Sequence, residues 1–176
     1  MGRIAAMPPG VKARIAGGVY LLVFVTGGFA LSSRSGAAAA AGLVAGALYI
    51  AVTLLFYGLF KPVNRHVSLL AAAISLAGIA AGPLRVPGVN PLVLFGVYCG
   101  LISYLIFRST FLPRTLAVLM AFASIGWLTF LSPSLAKDLY PFNFAPGIIG
   151  EGALTLWLLA IGVNVPCWQE QAQVHP

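Results

Sequence analysis

The chain is nearly without acid. Of its 176 residues three are Asp or Glu against ten Lys and Arg, and charged residues make up 7% of the total. A soluble domain carries about 25% charged residues, so this composition cannot cover a folded surface in water. Cysteine and histidine are as scarce, two of each. Cys99 falls inside one apolar run and Cys167 just past another, and their different depths argue against a disulfide. His66 stands in a turn and His175 in the tail, too scattered to join the cysteines as a metal site. Asp138 has no histidine near it for a Ser/His/Asp set, and there is no glycine-rich phosphate loop. The residues therefore imply no metal, name no cofactor, and do not point to an enzyme, which would need more than one convergent ionisable group.

What is present is apolar. Hydrophobic residues make up 60% of the chain and the mean hydropathy is +0.99. Runs of about 17 to 25 such residues between short polar breaks indicate membrane-spanning helices. Backbone groups in hydrocarbon must be paired within the segment, and continuous Ala, Leu, Gly and Ile favour helices over a barrel. The expected spans are 15–31, 37–60, 67–84, 91–107, 113–131 and 146–165, giving an all-α, six-helix membrane bundle in a single domain, 1–176. The first run, with Lys12 and Arg14 ahead of it, has the look of a secretory leader, but it is long enough to cross and is read as a helix.

Basic residues orient the bundle. Arg3, Lys12, Arg14, Lys61, Arg65, Arg108 and Arg114 fall at one set of ends, and Arg34, Arg85 and Lys137 at the other, which predicts that both termini are cytoplasmic. The net charge of +7 thereby serves topology and anionic headgroups. No basic patch is interleaved with stacking aromatics, so nucleic acid is not an expected partner. Lys61 and Arg65 flank the PVNR turn and are candidates for a lipid headgroup.

Helices in lipid associate where small residues let backbones approach, and Gly pairs at spacing four stand at Gly42/Gly46, Gly78/Gly82 and Gly96/Gly100. These predict close packing within one chain rather than a homo-oligomer face. Tyr57, Phe60, Phe107 and Phe111 at one boundary, and Tyr140, Phe142 and Phe144 at the other, read as interfacial aromatic belts. The longest connection, Ser132 to Pro146, reads as a structured surface loop. FYGLFKPVNRHVSLLAAAIS and SYLIFRSTFLPRTLAVLMAFAS echo one another, each running from an aromatic helix end through a basic turn into a new span.

KARIAGGVYLLVFVTGGFAL, KPVNRHVSLLAAAISL, FGVYCGLISYLIFRSTFLPRTLAVLMAFA and PGIIGEGALTLWLL, in that order, resemble a bacterial multi-pass membrane family catalogued as domain of unknown function four-three-eight-six. The most specific element is Tyr104 to Ser109 followed by Leu112 to Arg114. The resemblance covers nearly everything from Lys12 to Gly162 and implies a six-helix integral membrane protein without an assigned activity. It also implies that relatives often carry Arg at the position of Ser75 and His at that of Tyr98, while the acid at Glu151 is kept.

Glu151 is the one acid inside an expected span. Counted from Pro146 it lies roughly 7 to 8 Å along its helix, in the outer third of the membrane. Thr26, Ser75 and Tyr98 fall in the outer half of their own spans and are expected to converge on it. Arg85 and Lys137 are the bases that could cap it from the surface. An ionisable group within a span is a functional hypothesis by default, although the first turns of a helix are where an acid costs least. Two functions follow for a protein of the bacterial inner (plasma) membrane, its partners being lipids and other membrane subunits. One is an accessory or structural subunit of a membrane assembly. The other is a small transporter or ligand-binding protein with an outward-facing polar pocket at Glu151.

Overall fold

The structure is a computed structural model and describes residues 7–33, 35–84 and 87–174. Among them every regular element is helical: α1 (Pro9–Ser32), α2 (Gly36–Phe60), α3 (Arg65–Leu84), α4 (Pro91–Arg108), α5 (Arg114–Leu128), α6 (Pro133–Leu139), α7 (Ala145–Ala160) and α8 (Val165–Val174). Single 3-10 turns, Thr129–Leu131 and Phe142–Phe144, extend α5 and lead into α7. Six of these rods are long and apolar enough to cross a membrane; the protein is a multi-pass helical membrane protein.

Polar and imino residues set the helix ends. Pro9 and Pro91 open α1 and α4, where the missing N–H costs nothing. Asn64, Asn90 and Asn164 accept from the first-turn amides of Val67, Leu92 and Cys167, the capping that short polar side chains supply. The last span stops at Ala160 rather than continuing to residue 165. Gly162 takes a φ of +81°, a left-handed conformation open to glycine, and the Ile161 and Gly162 amides both return to the Trp157 carbonyl. The chain then turns into α8, an element hidden in the sequence because WQEQAQ is polar. The long connection is ordered as α6 between the two 3-10 turns.

The six rods close a ring in the order α1, α2, α3, α4, α5, α7, with α7 packed back on α1. The face holding the start of α1 and all of α8 is called the terminal face, and the opposite one, covered by α6, the far face. Glycine decides the closest approaches, and of the expected pairs Gly96/Gly100 is among them while the tightest lie elsewhere. A Cβ on Gly150 would sit 2.3 Å from the Leu119 carbonyl oxygen, one on Gly17 2.5 Å from the Leu159 amide, and one on Gly147 2.5 Å from the Trp127 indole. Gly96 and Gly100 are tight against Leu128 and Ser124, whereas Gly42 and Gly46 meet only distant side chains and Gly82 meets nothing. Phe60 and Phe111 are likewise core residues rather than belt: both are buried, their rings 6.0 Å apart. Phe107, Tyr140 and Phe142 are exposed, as belt residues are.

Candidate functional site

Glu151 stands on the inner side of α7, 4% exposed. It is equidistant from the two ends of the apolar rod Phe142–Ala160, so it stands at the middle of that rod rather than in its outer third. The difference arises because the rod begins at the 3-10 turn Phe142–Phe144, ahead of Pro146. Its neighbours agree: Tyr20 and Tyr49, from the middles of α1 and α2, are at the same level.

The carboxylate accepts from the Tyr20 hydroxyl at 2.5 Å on Oε2 and from the Trp127 indole N–H at 2.7 Å on Oε1. The Cys99 thiol makes a long third contact to Oε1 at 3.9 Å, weak as thiol donors are. The Tyr20 hydroxyl is also 3.3 Å from that of Tyr49. One acid is thus tied to α1, α4 and α5, and through Tyr20 to α2, by neutral groups only. A charge at the centre of a span costs about 3 kcal/mol even on insertion scales, so this position favours a group that can shed its charge by taking a proton.

The other expected site residues go elsewhere. Ser75 bonds Thr53 at 2.7 Å across α2 and α3. Thr26 returns its hydroxyl to the Leu22 carbonyl at 2.7 Å, as a helical threonine can. Tyr98 is adjacent, its ring 6.1 Å from that of Tyr49, but its hydroxyl, buried, has no hydrogen-bond partner among the described residues, and neither has that of Thr155. Lys137 is exposed on α6 and is not a partner of Glu151, and Arg85 lies outside the described residues. Lys61 and Arg65 are exposed at the turn between α2 and α3. Cys99 and Cys167 are both free. Of the partners that matter, Tyr20 and Tyr49 carry one signal in the sequence, as amphipathic aromatics in the interior of spans, away from the interfaces where such rings gather; Trp127, next to the end of α5, is placed like an interfacial ring and carries none.

Aromatic rings continue from this centre to both faces. Toward the terminal face Tyr20 meets Phe56 at 5.9 Å, Phe56 meets Phe60 at 5.8 Å, and Phe60 meets Phe111. Toward the far face Tyr49 meets Phe95 at 5.1 Å, Phe95 meets Trp127 at 5.5 Å, and Phe144 links Trp127 at 5.5 Å to Tyr140 at 6.2 Å. Glu151 joins this spine at two of its rings, Tyr20 and Trp127. The site is closed rather than outward-open. A cleft of about 300 Å³ at the far face, beside Asn90 and Phe130, does not include Glu151. Nor does one of about 410 Å³ at the terminal face, between Thr110–Pro113 and Trp157–Asn164.

No curated protein and no solved structure matches the chain. Residues 88–162, which carry Tyr98, Cys99, Trp127 and Glu151 but not Tyr20 or Tyr49, match the family model described as Domain of unknown function (DUF4386), the family whose motifs the sequence resembles.

Proposed function

We propose that the protein is a small proton-linked transporter of the bacterial inner membrane, with Glu151 as the group that gains and loses the proton. The observation that carries this reading is a mid-depth carboxyl whose partners, Tyr20, Trp127 and Cys99, are all neutral donors. Both charge states fit the same atoms. The ionised form accepts from Tyr20 and Trp127. The protonated form keeps Oε1 as acceptor for Trp127 and donates from Oε2 to the Tyr20 oxygen, whose own proton then turns to Tyr49. A purely structural acceptor would be served by glutamine, without the cost of a buried charge.

The exposed bases Arg14, Lys61, Arg65, Arg108 and Arg114 gather at the terminal face, which supports a cytoplasmic location for both termini. The closed core corresponds to an occluded state, with the aromatic groups on either side as the barriers to be opened in turn.

Infrared difference spectroscopy on the purified protein tests the proton-binding step. A carboxylic-acid band that bleaches as the pH is raised, and is missing from Glu151→Gln, is the expected result. A spectrum unchanged from acid to alkaline pH overturns the reading.

A second reading, an accessory subunit of a membrane assembly, is favoured by the far-face halves of α1 and α2. Gly27, Gly28 and Gly36 face open space beside exposed Leu31, Leu43 and Val44, a surface that suits a further helix. Co-purification of a stoichiometric membrane partner, lost when these glycines are enlarged, is its test.

A further inference from the structure

We propose that the ligand exchanged for the Glu151 proton is an organic ammonium ion, its charge paired with the carboxylate and its apolar body held among aromatic rings. The inference rests on the proton-linked reading above and names the substrate class of that site. Three observations carry it.

The first is charge balance. The groups facing Glu151 are Tyr20 from α1, Tyr49 from α2, Tyr98 and Cys99 from α4, and Trp127 from α5, and none is a base. All described Lys and Arg except Lys12 are exposed, and Lys12 lies at the terminal face beside Gly58. A ligand that replaces the proton must therefore bring its own positive charge. An anion would be repelled, and a neutral molecule would leave the carboxylate uncompensated in a dry core.

The second is the wall. Tyr20, Tyr49, Phe95, Tyr98 and Trp127 form a continuous set of rings around the acid. Aromatic faces attract organic cations, and do so more strongly away from water. A hydrated metal ion gains nothing from such walls, whereas a cation with apolar substituents would lie against these rings once the closed core opens to admit it. The spine running to Phe111 and to Tyr140 offers similar faces toward both ends of the bundle.

The third is the pair of unpartnered, fully buried hydroxyls, Tyr98 Oη and Thr155 Oγ1. Tyr98 sits beside Cys99, and Thr155 is one turn beyond Glu151 on the same side of α7. Buried hydroxyls ordinarily have a partner, and both can accept. An ammonium carries several N–H donors, so one can be given to the carboxylate and others to these oxygens. The exchange balances: the carboxylic acid and the incoming ammonium become a carboxylate–ammonium pair, and one proton leaves.

The test uses benzylammonium chloride as the probe, on the full chain in detergent micelles, with Trp fluorescence reporting binding and a pH dye reporting proton release. At a pH below the acid's titration the expected result is saturable binding with about one proton released per cation bound, and affinity falling roughly tenfold for each further unit decrease in pH. Benzyl alcohol, of the same shape without the charge, should not compete, and Glu151→Gln should bind neither. The wild-type proton count stands independently of whether the variant folds. Binding without proton release at that pH, or equal competition by benzyl alcohol, overturns the ammonium assignment. If the infrared band titrates but benzylammonium does not bind, the ligand class falls and the proton centre remains; a carboxyl that does not titrate removes both.

Discussion

The hairpins α2–α3 and α4–α5 start from similar sequence and pack differently. In α4–α5 the helices are zipped along their length: Ser103 donates to the Ala117 carbonyl and Ser124 to the Gly96 carbonyl, both at 2.7 Å, while Gly96 and Gly100 admit Leu128 and Ser124. In α2–α3 the links Ser68 to the Tyr57 carbonyl and Thr53 to Ser75 lie toward the terminal face. Beyond them a Cβ added at Gly46 would come no nearer than 3.8 Å to another side chain, that of Ile79, and one at Gly82 would meet nothing within 4 Å. Glycine spacing is the same in both, so spacing alone does not close a helix pair. What closes it is a hydroxyl on the facing helix and a third element pressing from behind. For α5 that element is α7, seated through Gly147 and Gly150.

The sharpest way to break the zipped side is Gly150→Ala. The new methyl would meet the Leu119 carbonyl oxygen at 2.3 Å and the Ala123 Cβ at 2.9 Å, and neither is the end of a flexible side chain. A loss of about 3 kcal/mol, the upper range for overpacking, should appear as a large fall in thermal stability in detergent. Glu151 comes next, because it ties α7 to α1 and α5. Glu151→Leu leaves the part-buried Trp127 N–H and the buried Tyr20 hydroxyl without their acceptor and should cost about 2 kcal/mol. Glu151→Gln should cost less, about 1 kcal/mol: its carbonyl can serve Trp127, which only donates, while its amide donates to Tyr20, which can accept. Equal losses in the two variants would mean that the hydrogen bonds to Glu151 do not hold these helices.

Much of this architecture was legible in the sequence, for identifiable reasons. Hydrocarbon leaves a helix no option but length and apolarity, so six rods could be read from the runs themselves, and the expected start of one span at Pro91 is the start that the structure keeps. Glu151 also stood out, as the one acid among apolar neighbours. Its depth did not, because Phe142 to Phe144 is written like an interfacial loop and folds as the first turn of the rod. Its partners were hidden for a different reason. Which faces of α1, α2 and α5 turn inward depends on where Gly17, Gly147 and Gly150 let α7 approach, a tertiary matter that no single helix records. Ser75 and Thr26 had the right composition at about the right height, but each hydroxyl finds a nearer partner than the acid.

Serine substitutions sharpen the contrast at a smaller scale. Hydrogen bonds between membrane helices average about 0.6 kcal/mol. Ser124→Ala should cost about 1 kcal/mol, because the buried hydroxyl is shared with the close approach at Gly100. Ser75→Ala should cost about half as much, since Thr53 keeps its bond to the Tyr49 carbonyl at 2.9 Å. Thermal melts of the two variants in the same detergent decide it, and a larger loss at Ser75 would place the stronger link in α2–α3.

The smallest effect on the isolated protein is expected at the open end, and there it is the most informative. A side chain at Gly28 meets nothing within 4 Å, and replacing a helical glycine removes a propensity cost of about 1 kcal/mol. Gly28→Leu should therefore melt at the wild-type temperature or slightly above it. If these small residues face another subunit, the same change fills the space where its helix would lie, and the partner should be lost from the purified material while the monomer stays folded. If α1 and α2 face only lipid, Gly28→Leu changes neither stability nor composition. The open end of the bundle would then be a surface for acyl chains, and the difference between the two hairpins would belong to the workings of the core at Glu151 rather than to assembly.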